Sequence, residues 1–485
     1  MKICTAQSVR EAEKRLFDSG AMCSLELMNA VVGRLWQECR RLPLMRGFVP
    51  SRVVVYAGSG NNAGDAIGLA ACWDCPVTLR CAGSLSADAQ AQLEQCPWLH
   101  PDTDAPAPQS GLLIIDGLLG SGAVGELRPA YAELVREMNA LRAASPRSLL
   151  LAIDIPTGLN ADTGAFGADV VRADVTAAIG CVKPGMVADG AEDAVGRLLC
   201  IPLPEVGEIP APESAGVMDI SEVSGILHSR AYSFYKNKAG RVAIIAGCVG
   251  MAGAAQMCAE AAVAAGAGLV VLYCLPPVYP ILAARVTPEV MVRPVGSYAD
   301  IHEPDAQVLV IGPGLGDVQP VAAESLRKLA SGFEGTVVLD ADGLNTSAAY
   351  TWEPRKNWIL TPHPGEMRRL QPGLCASRAD AVSCYRNRFD SVLVLKGART
   401  IISGENGCFY NATGGPFMAN GGQGDVLAGV IGALAAQGVV PMRAAMLGVY
   451  TCGAAAEYAW AAAGYPPGIT ATQVIEKLQY TLGGL

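Results

Sequence analysis

The residues best able to do chemistry lie in short glycine-rich strings. The most informative is GGQGDVLAG, Gly421 to Gly429. Its glycines let successive backbone N–H groups turn toward one point, an anion nest. The apolar, alanine-rich run that follows reads as a helix, whose N-terminal dipole faces the same anion. Asp425, fixed there, can take a proton from a hydroxyl while the nest stabilises a phosphate in transfer. A simpler reading is an aspartate capping a helix after a glycine turn; the whole GGxGD string favours chemistry. GPGLG (Gly312 to Gly316), LDADGLN (Leu339 to Asn345), LTPHPGE (Leu360 to Glu366) and VLKGART (Val394 to Thr400) each follow an apolar run. They bring glycines, carboxylates, His363 between two prolines, and Lys396 to strand ends. In the first half, GSGNNAGDAIGLA (Gly58 to Ala70) has the strand–turn–helix form that cradles phosphate, without the Gly-Lys-Ser/Thr of a P-loop. DGLLGSGAVGE (Asp116 to Glu126) and IDIPTGLNADTG (Ile153 to Gly164) add two aspartate-bearing loops, with Asp154 presented at a rigid turn.

Elements able to hold these loops are visible as β-branched and aliphatic runs. The first series is Val53–Tyr56, Leu112–Ile115, Leu149–Ile153 and Val175–Ile179. The second is Val242–Ile245, Leu269–Tyr273, Val308–Ile311, Val337–Leu339, Trp358–Leu360 and Val392–Leu395. Helix-like sequence separates them, so both series predict mostly parallel α/β sheets with ligand loops at the strand ends. The proline- and glutamate-rich stretch from Pro202 to about Ser221 reads as a linker or crossing segment. A length of 485 residues with 51% hydrophobic and 17% charged residues supports two ordered domains. A net charge of −9 argues against a general nucleic-acid binder, which needs a basic surface. The N-terminus lacks a signal-like apolar segment, and Pro276, Pro277 and Pro280 break the most membrane-like run, Ala261 to Ala284. Scattered cysteines, 16 in all, predict reduced thiols, and Cys72 with Cys75 lacks the further ligands of a zinc site. The expectation is a cytoplasmic protein without membrane or nucleic-acid partners, assembled as a homo-oligomer.

Together, GRVAIIAGCVGMAGAAQMCAEAAVAAGAGLV, IGPGLG, DADGLN, LTPHPGE, LKGARTII and MANGGQGDVLAG resemble the ADP/ATP-dependent NAD(P)H-hydrate dehydratases, in the same order, over residues 225–485. The resemblance implies a ribokinase-like α/β domain. It implies that Ala254, Gly316, His363 and Asp425 meet the hydrated dinucleotide. Lys396, Gly397, Ala398, Arg399, Thr400 and Gly424 would hold ADP or ATP with Mg2+. Asn420 and the Lys236-Asn237 pair depart from the usual pattern.

The first-half loops resemble the NAD(P)H-hydrate epimerase domain over residues 1–215, a Rossmann-like three-layer domain. That resemblance implies dinucleotide contacts from Asn61, Asn62, Ala63, Gly64 and Asp65, and from Gly120, Ser121, Gly122, Ala123, Val124, Gly125 and Glu126. Asp154 would stand at the reacting ring, and Asn62, Asp116 and Thr157 would offer oxygens to K+. Ala63 and Ala66 replace family glycines, raising the expectation of narrowed phosphate access or a forbidden positive φ. The implied function is repair of NADH-hydrate and NADPH-hydrate: exchange of the R and S epimers, then nucleotide-dependent dehydration of the S form. A ribokinase-like vitamin or sugar kinase is the alternative, with a first half that binds nucleotide without turnover.

Overall fold

The computed structural model describes every residue except 47, 124, 212–214, 228–229, 374 and 406. The chain divides into two compact units, Met1–Val217 and Met218–Leu485.

The first unit is built on a sheet ordered Val77–Cys81, Arg52–Ala57, Leu112–Gly117, Leu149–Ile153, Val175–Ile179, Arg197–Ile201. Every neighbouring pair is parallel. Its strands read as continuous apolar runs because both faces are covered. Val53, Val55, Leu113 and Ile115 enter one core, while Val54, Tyr56, Leu112 and Ile114 enter the other. Helices therefore pack on both sides, giving three layers. Strand order reverses between Arg52–Ala57 and Leu112–Gly117, the place where open parallel sheets leave a ligand crevice. The loops from Gly58 and Leu118 start there.

Of the two readings of the stretch from Pro202, a free linker does not fit the structure. Leu203, Val206 and Ile209 recur every three residues among the prolines and are buried in the first unit's core, and Ala215–Met218 is a strand. Burial of that apolar stripe outweighs the proline content that suggested a free linker.

The second unit carries strands in the order Val290–Pro294, Leu269–Cys274, Arg241–Ile245, Val308–Ile311, Thr336–Leu339, Trp358–Leu360, Val392–Leu395, Ile401–Gly404, Gly407–Asn411. Pairing is parallel up to Val392–Leu395 and antiparallel beyond it. The membrane-like stretch resolves into the helix Ala252–Ala264 and the buried strand Leu269–Cys274. No helix among the described residues is long and apolar enough to cross a membrane. Helix Ala252–Ala264 packs tightly on helix Gln423–Ala436, because Gly429 lets the two backbones meet. A Cβ there would lie 2.1 Å from the Cys258 carbonyl oxygen. That contact anchors the helix whose first turn holds Asp425.

Candidate functional sites

In the second unit, five loops converge at the carboxyl ends of the sheet. The switch in strand order lies between Arg241–Ile245 and Val308–Ile311, and their loops meet: Gly247 N–H donates to the Pro313 carbonyl at 2.9 Å. Gly314 (φ +62°) lies against Met251 and Ala254, and Gly316 (φ +73°) faces the Cys248 thiol. Gly316 N–H donates to Asp342 Oδ2 at 2.8 Å. Gly422, at φ +95°, turns the chain into helix Gln423–Ala436, a conformation glycine adopts without strain. Asp425 follows in the first turn. Burial, then the neighbouring Asp340 charge, pushes its carboxyl up to about 7, against the opposing pull of Lys396. A carboxylate tuned near neutrality suits a general base.

Lys396 is partly buried. Its Nζ lies 2.5 Å from Asp340 Oδ1 and 3.8 Å from Glu366 Oε2. Burial works against its charge, but Asp340, Glu366 and Asp425 outweigh that and raise its pKa. The sequence reading gave Lys396 and Gly424 to the nucleotide, and the structure sets them side by side: a Cβ on Gly424 would stand 3.3 Å from Lys396 Nζ. In the adjoining loop Gly397 has φ +151° and Arg399 φ +56°, and Thr400 Oγ1 donates to the Gly397 carbonyl at 3.0 Å. Arg378 donates to the Ala398 carbonyl.

His363 caps the helix Pro364–Leu370: its Nδ1 accepts from Gly365 N at 2.9 Å, while the Glu366 carboxylate accepts from His363 N at 2.7 Å. The imidazole is still half-exposed, with Nε2 3.6 Å from Glu366 Oε1. Asn420 donates to the Ile469 carbonyl and accepts from Gln423 at 3.0 Å, which gives that departure a structural role. Asp340 and Glu366 stood inside quoted motifs without a role. Asp340's signal was its position as the first residue after the strand Thr336–Leu339.

In the first unit, Gly58 to Asp65 and Asp116 to Ala123 flank the switch point, and Asp154 follows the next strand. Asp154 has φ +64°, uncommon for a residue bearing a Cβ. One carboxylate oxygen accepts from the Lys183 ammonium and the other from Ser121 N–H at 2.8 Å. Burial opposes its charge, yet Lys183 and Ser121 prevail and hold the Asp154 carboxyl below the ordinary range. Lys183 is 1% exposed and also donates to the Ile179 carbonyl at 2.9 Å. Sequence reading missed it; the signal was one lysine in the otherwise uncharged IGCVKPG. Asp65 is buried nearby with Oδ1 unpartnered, its pKa raised by burial and by Asp154 and Glu13. Gly120 lies against Asp154 and Asn62, and Gly122 against Arg10. Asn61 is occupied by Ser24 and Ser86. Gly125 (φ +93°) and the exposed Glu126 complete the loop, and Val124 lies outside the described residues.

The concern about the two alanines is corrected. Ala63 and Ala66 sit inside the helix Asn61–Ala71, so no positive φ is asked of them. Both are fully buried, and the Ala66 methyl fills space left by Gly117, where an added Cβ would stand 2.5 Å away. They face the core.

Asn62, Asp116 and Thr157 do gather. Thr157 donates from N and Oγ1 to Asp116, both at 2.8 Å, and accepts from Leu119 N at 3.1 Å. Asn62 Nδ2 donates to the Leu119 and Ile153 carbonyls, each at 3.1 Å, leaving its Oδ1 as a donor to a cation. Asp116 is fully buried with no ion pair among the described residues, and burial raises its pKa to about 6. Hard oxygens around a buried, uncompensated carboxylate fit an alkali cation. Among the described residues no group of three or more His, Cys, Asp or Glu converges on a metal position, Cys72 and Cys75 included, and every cysteine is a free thiol.

Comparison with known proteins follows the same division. A model described as NAD(P)H-hydrate dehydratase matches residues 242–480, and one described as YjeF-related protein N-terminus matches residues 15–185. The bifunctional NAD(P)H-hydrate repair enzyme Nnr of Coxiella burnetii is 34% identical over 491 residues, covering 98% of each chain. The protein of the same name from Escherichia coli is 34% identical over 492 residues, covering 98% of this chain and 92% of its own. A solved ribokinase-like superfamily protein from Enterococcus faecalis aligns at 25% identity with a TM-score of 0.50, covering 57% of this chain and 98% of its own.

Proposed function

The chain belongs to the family of bifunctional NAD(P)H-hydrate repair enzymes, and from that premise we propose how its two units divide the work. It restores hydrated NADH and NADPH by epimerising the R and S hydrates and dehydrating the S form at the expense of a nucleotide. The vitamin or sugar kinase reading is not kept, because the second-half family match is to a dehydratase.

The second unit carries dehydration. The hydrated ring bears a hydroxyl on a carbon bonded to the ring nitrogen, and water leaves poorly where phosphate leaves well. Asp425 takes the hydroxyl proton as the terminal phosphoryl group of ATP or ADP passes to that oxygen. The nitrogen lone pair then expels phosphate as the C–O bond breaks, and loss of a ring proton restores the dihydropyridine. Ala254, Gly316 and His363 border the hydrate, while Lys396 to Thr400 and Gly424 border the nucleotide, which brings its own Mg2+.

The first unit carries epimer exchange, with Asp154 moving the proton and the loops Asn61 to Asp65 and Gly120 to Glu126 against the dinucleotide. Asn62, Asp116 and Thr157 would hold K+, whose charge would neutralise Asp116 and brace the Leu118–Leu119 turn. The compartment proposed is the cytoplasm, with which free thiols agree, and the assembly a homo-oligomer, checked by sedimentation.

The observation that carries this reading is Asp425, tuned near neutrality at the start of a helix behind a glycine nest. Mixed hydrate epimers, separated by chromatography after incubation, test it. Both epimers disappear with nucleotide present, and without it they only interconvert. Accumulation of the R epimer beside exhausted S epimer would remove the epimerase half of the proposal.

A further inference from the structure

We propose that Asp340 is a positioning residue for dehydration: it clamps the Lys396 ammonium beneath Gly424, so that anion and cation together set the base strength of Asp425. This rests on the dehydratase reading of the second unit.

The geometry is built by three adjacent parallel strands. Thr336–Leu339 ends at Asp340, Trp358–Leu360 at Thr361, and Val392–Leu395 at Lys396. Thr361, on the middle strand, donates to Asp340 Oδ1 at 2.7 Å, and Lys396 Nζ reaches the same oxygen at 2.5 Å. Asp340 and Thr361 are each 1% exposed, so little water reaches the bond between them. The pair lies directly against the nest: a Cβ on Gly424 would stand 3.3 Å from Lys396 Nζ and 3.5 Å from Asp340 Oδ2. Glu366 Oε2, at 3.8 Å, is the alternative partner toward which the ammonium would swing if Asp340 lost its charge.

Five titratable neighbours surround Asp425. Asp340 and Asp342 come from the turn after Thr336–Leu339, Glu366 from helix Pro364–Leu370, Lys396 from the end of Val392–Leu395, and Cys258 from helix Ala252–Ala264. Asp340, Asp342 and Glu366 raise the Asp425 pKa, and Lys396 lowers it. Removing Asp340's charge and removing Lys396's charge therefore push Asp425 in opposite directions.

The test is the pH profile of kcat/KM for S-hydrate at saturating ATP, with the full chain. In Asp340→Asn the acid limb moves to lower pH and the plateau falls, because a weaker base is left. In Lys396→Met the limb moves to higher pH. Each shift is about one pH unit, the scale of a close charge. Rate losses with both limbs unmoved would overturn the proposal while leaving the dehydratase reading intact; absence of turnover in the unsubstituted chain would overturn the reading itself. If Asp340→Asn does not fold, the Lys396→Met limb decides alone, and a limb that stays or moves downward refutes the clamp.

Discussion

Lys183→Met removes the cation that compensates Asp154. In the folded chain Lys183 is 1% exposed and the Asp154 side chain 14% exposed, so the surviving carboxylate would be charged, largely dry and left with Ser121 N–H. Breaking a buried pair from one side costs on the order of 3 to 5 kcal/mol. A second change, Asp154→Asn, recovers part of that loss, because asparagine is neutral and tolerates the φ of +64°. The pH window is defined by both partners. Asp154 titrates below its unfolded value, so its contribution is present above about pH 4 and is lost as pH falls through the folded pKa. Lys183 titrates above its unfolded value, so its contribution is full below about pH 10 and is lost as pH rises through the folded pKa. Hydrogen exchange in a urea series, followed on peptides from 149 to 186, reads this unit separately from the other. A Lys183→Met midpoint within about 1 kcal/mol of the unsubstituted chain, or no recovery in the double variant, would refute the reasoning.

Three other outcomes follow from the sites. Asp425→Asn binds nucleotide but loses dehydration on the order of a hundredfold or more, and in the unsubstituted chain kcat/KM falls as pH drops below about 7, where Asp425 takes up its proton; both are read by recovery of dihydronicotinamide absorbance. Asp154→Asn abolishes nucleotide-independent epimer exchange while leaving dehydration of pure S-hydrate unchanged, measured by chromatography of the two epimers. Ala66→Gly lowers stability by about 1 kcal/mol or more through helix propensity and lost packing and does not speed exchange, since the methyl group is buried against Gly117.

Much of the architecture was legible because strands buried on both faces are continuous apolar runs, and parallel sheets place chemistry at strand ends. The runs before Gly58, Asp116, Asp154 and Gly312 could thus be read for position as well as composition, and Asp425 from the apolar helix that follows it. The φ argument against Ala63 and Ala66 failed because it treated Asn61–Asp65 as a turn, whereas the helix already starts at Asn61. Lys183 and Asp340 escaped for a different reason: each acts through a partner far away in sequence. Nothing local to IGCVKPG tells that its lysine meets an aspartate 29 residues earlier. Nor does VVLDADG tell that its first aspartate meets a lysine 56 residues later.

The most direct test is a mass balance on the whole chain with purified S-hydrate and ATP. Dehydration driven by phosphoryl transfer releases one inorganic phosphate for each NADH regained, with no phosphorylated dinucleotide left in the mass spectrum. A stable phosphorylated product, or NADH recovered without matching phosphate, would contradict the account.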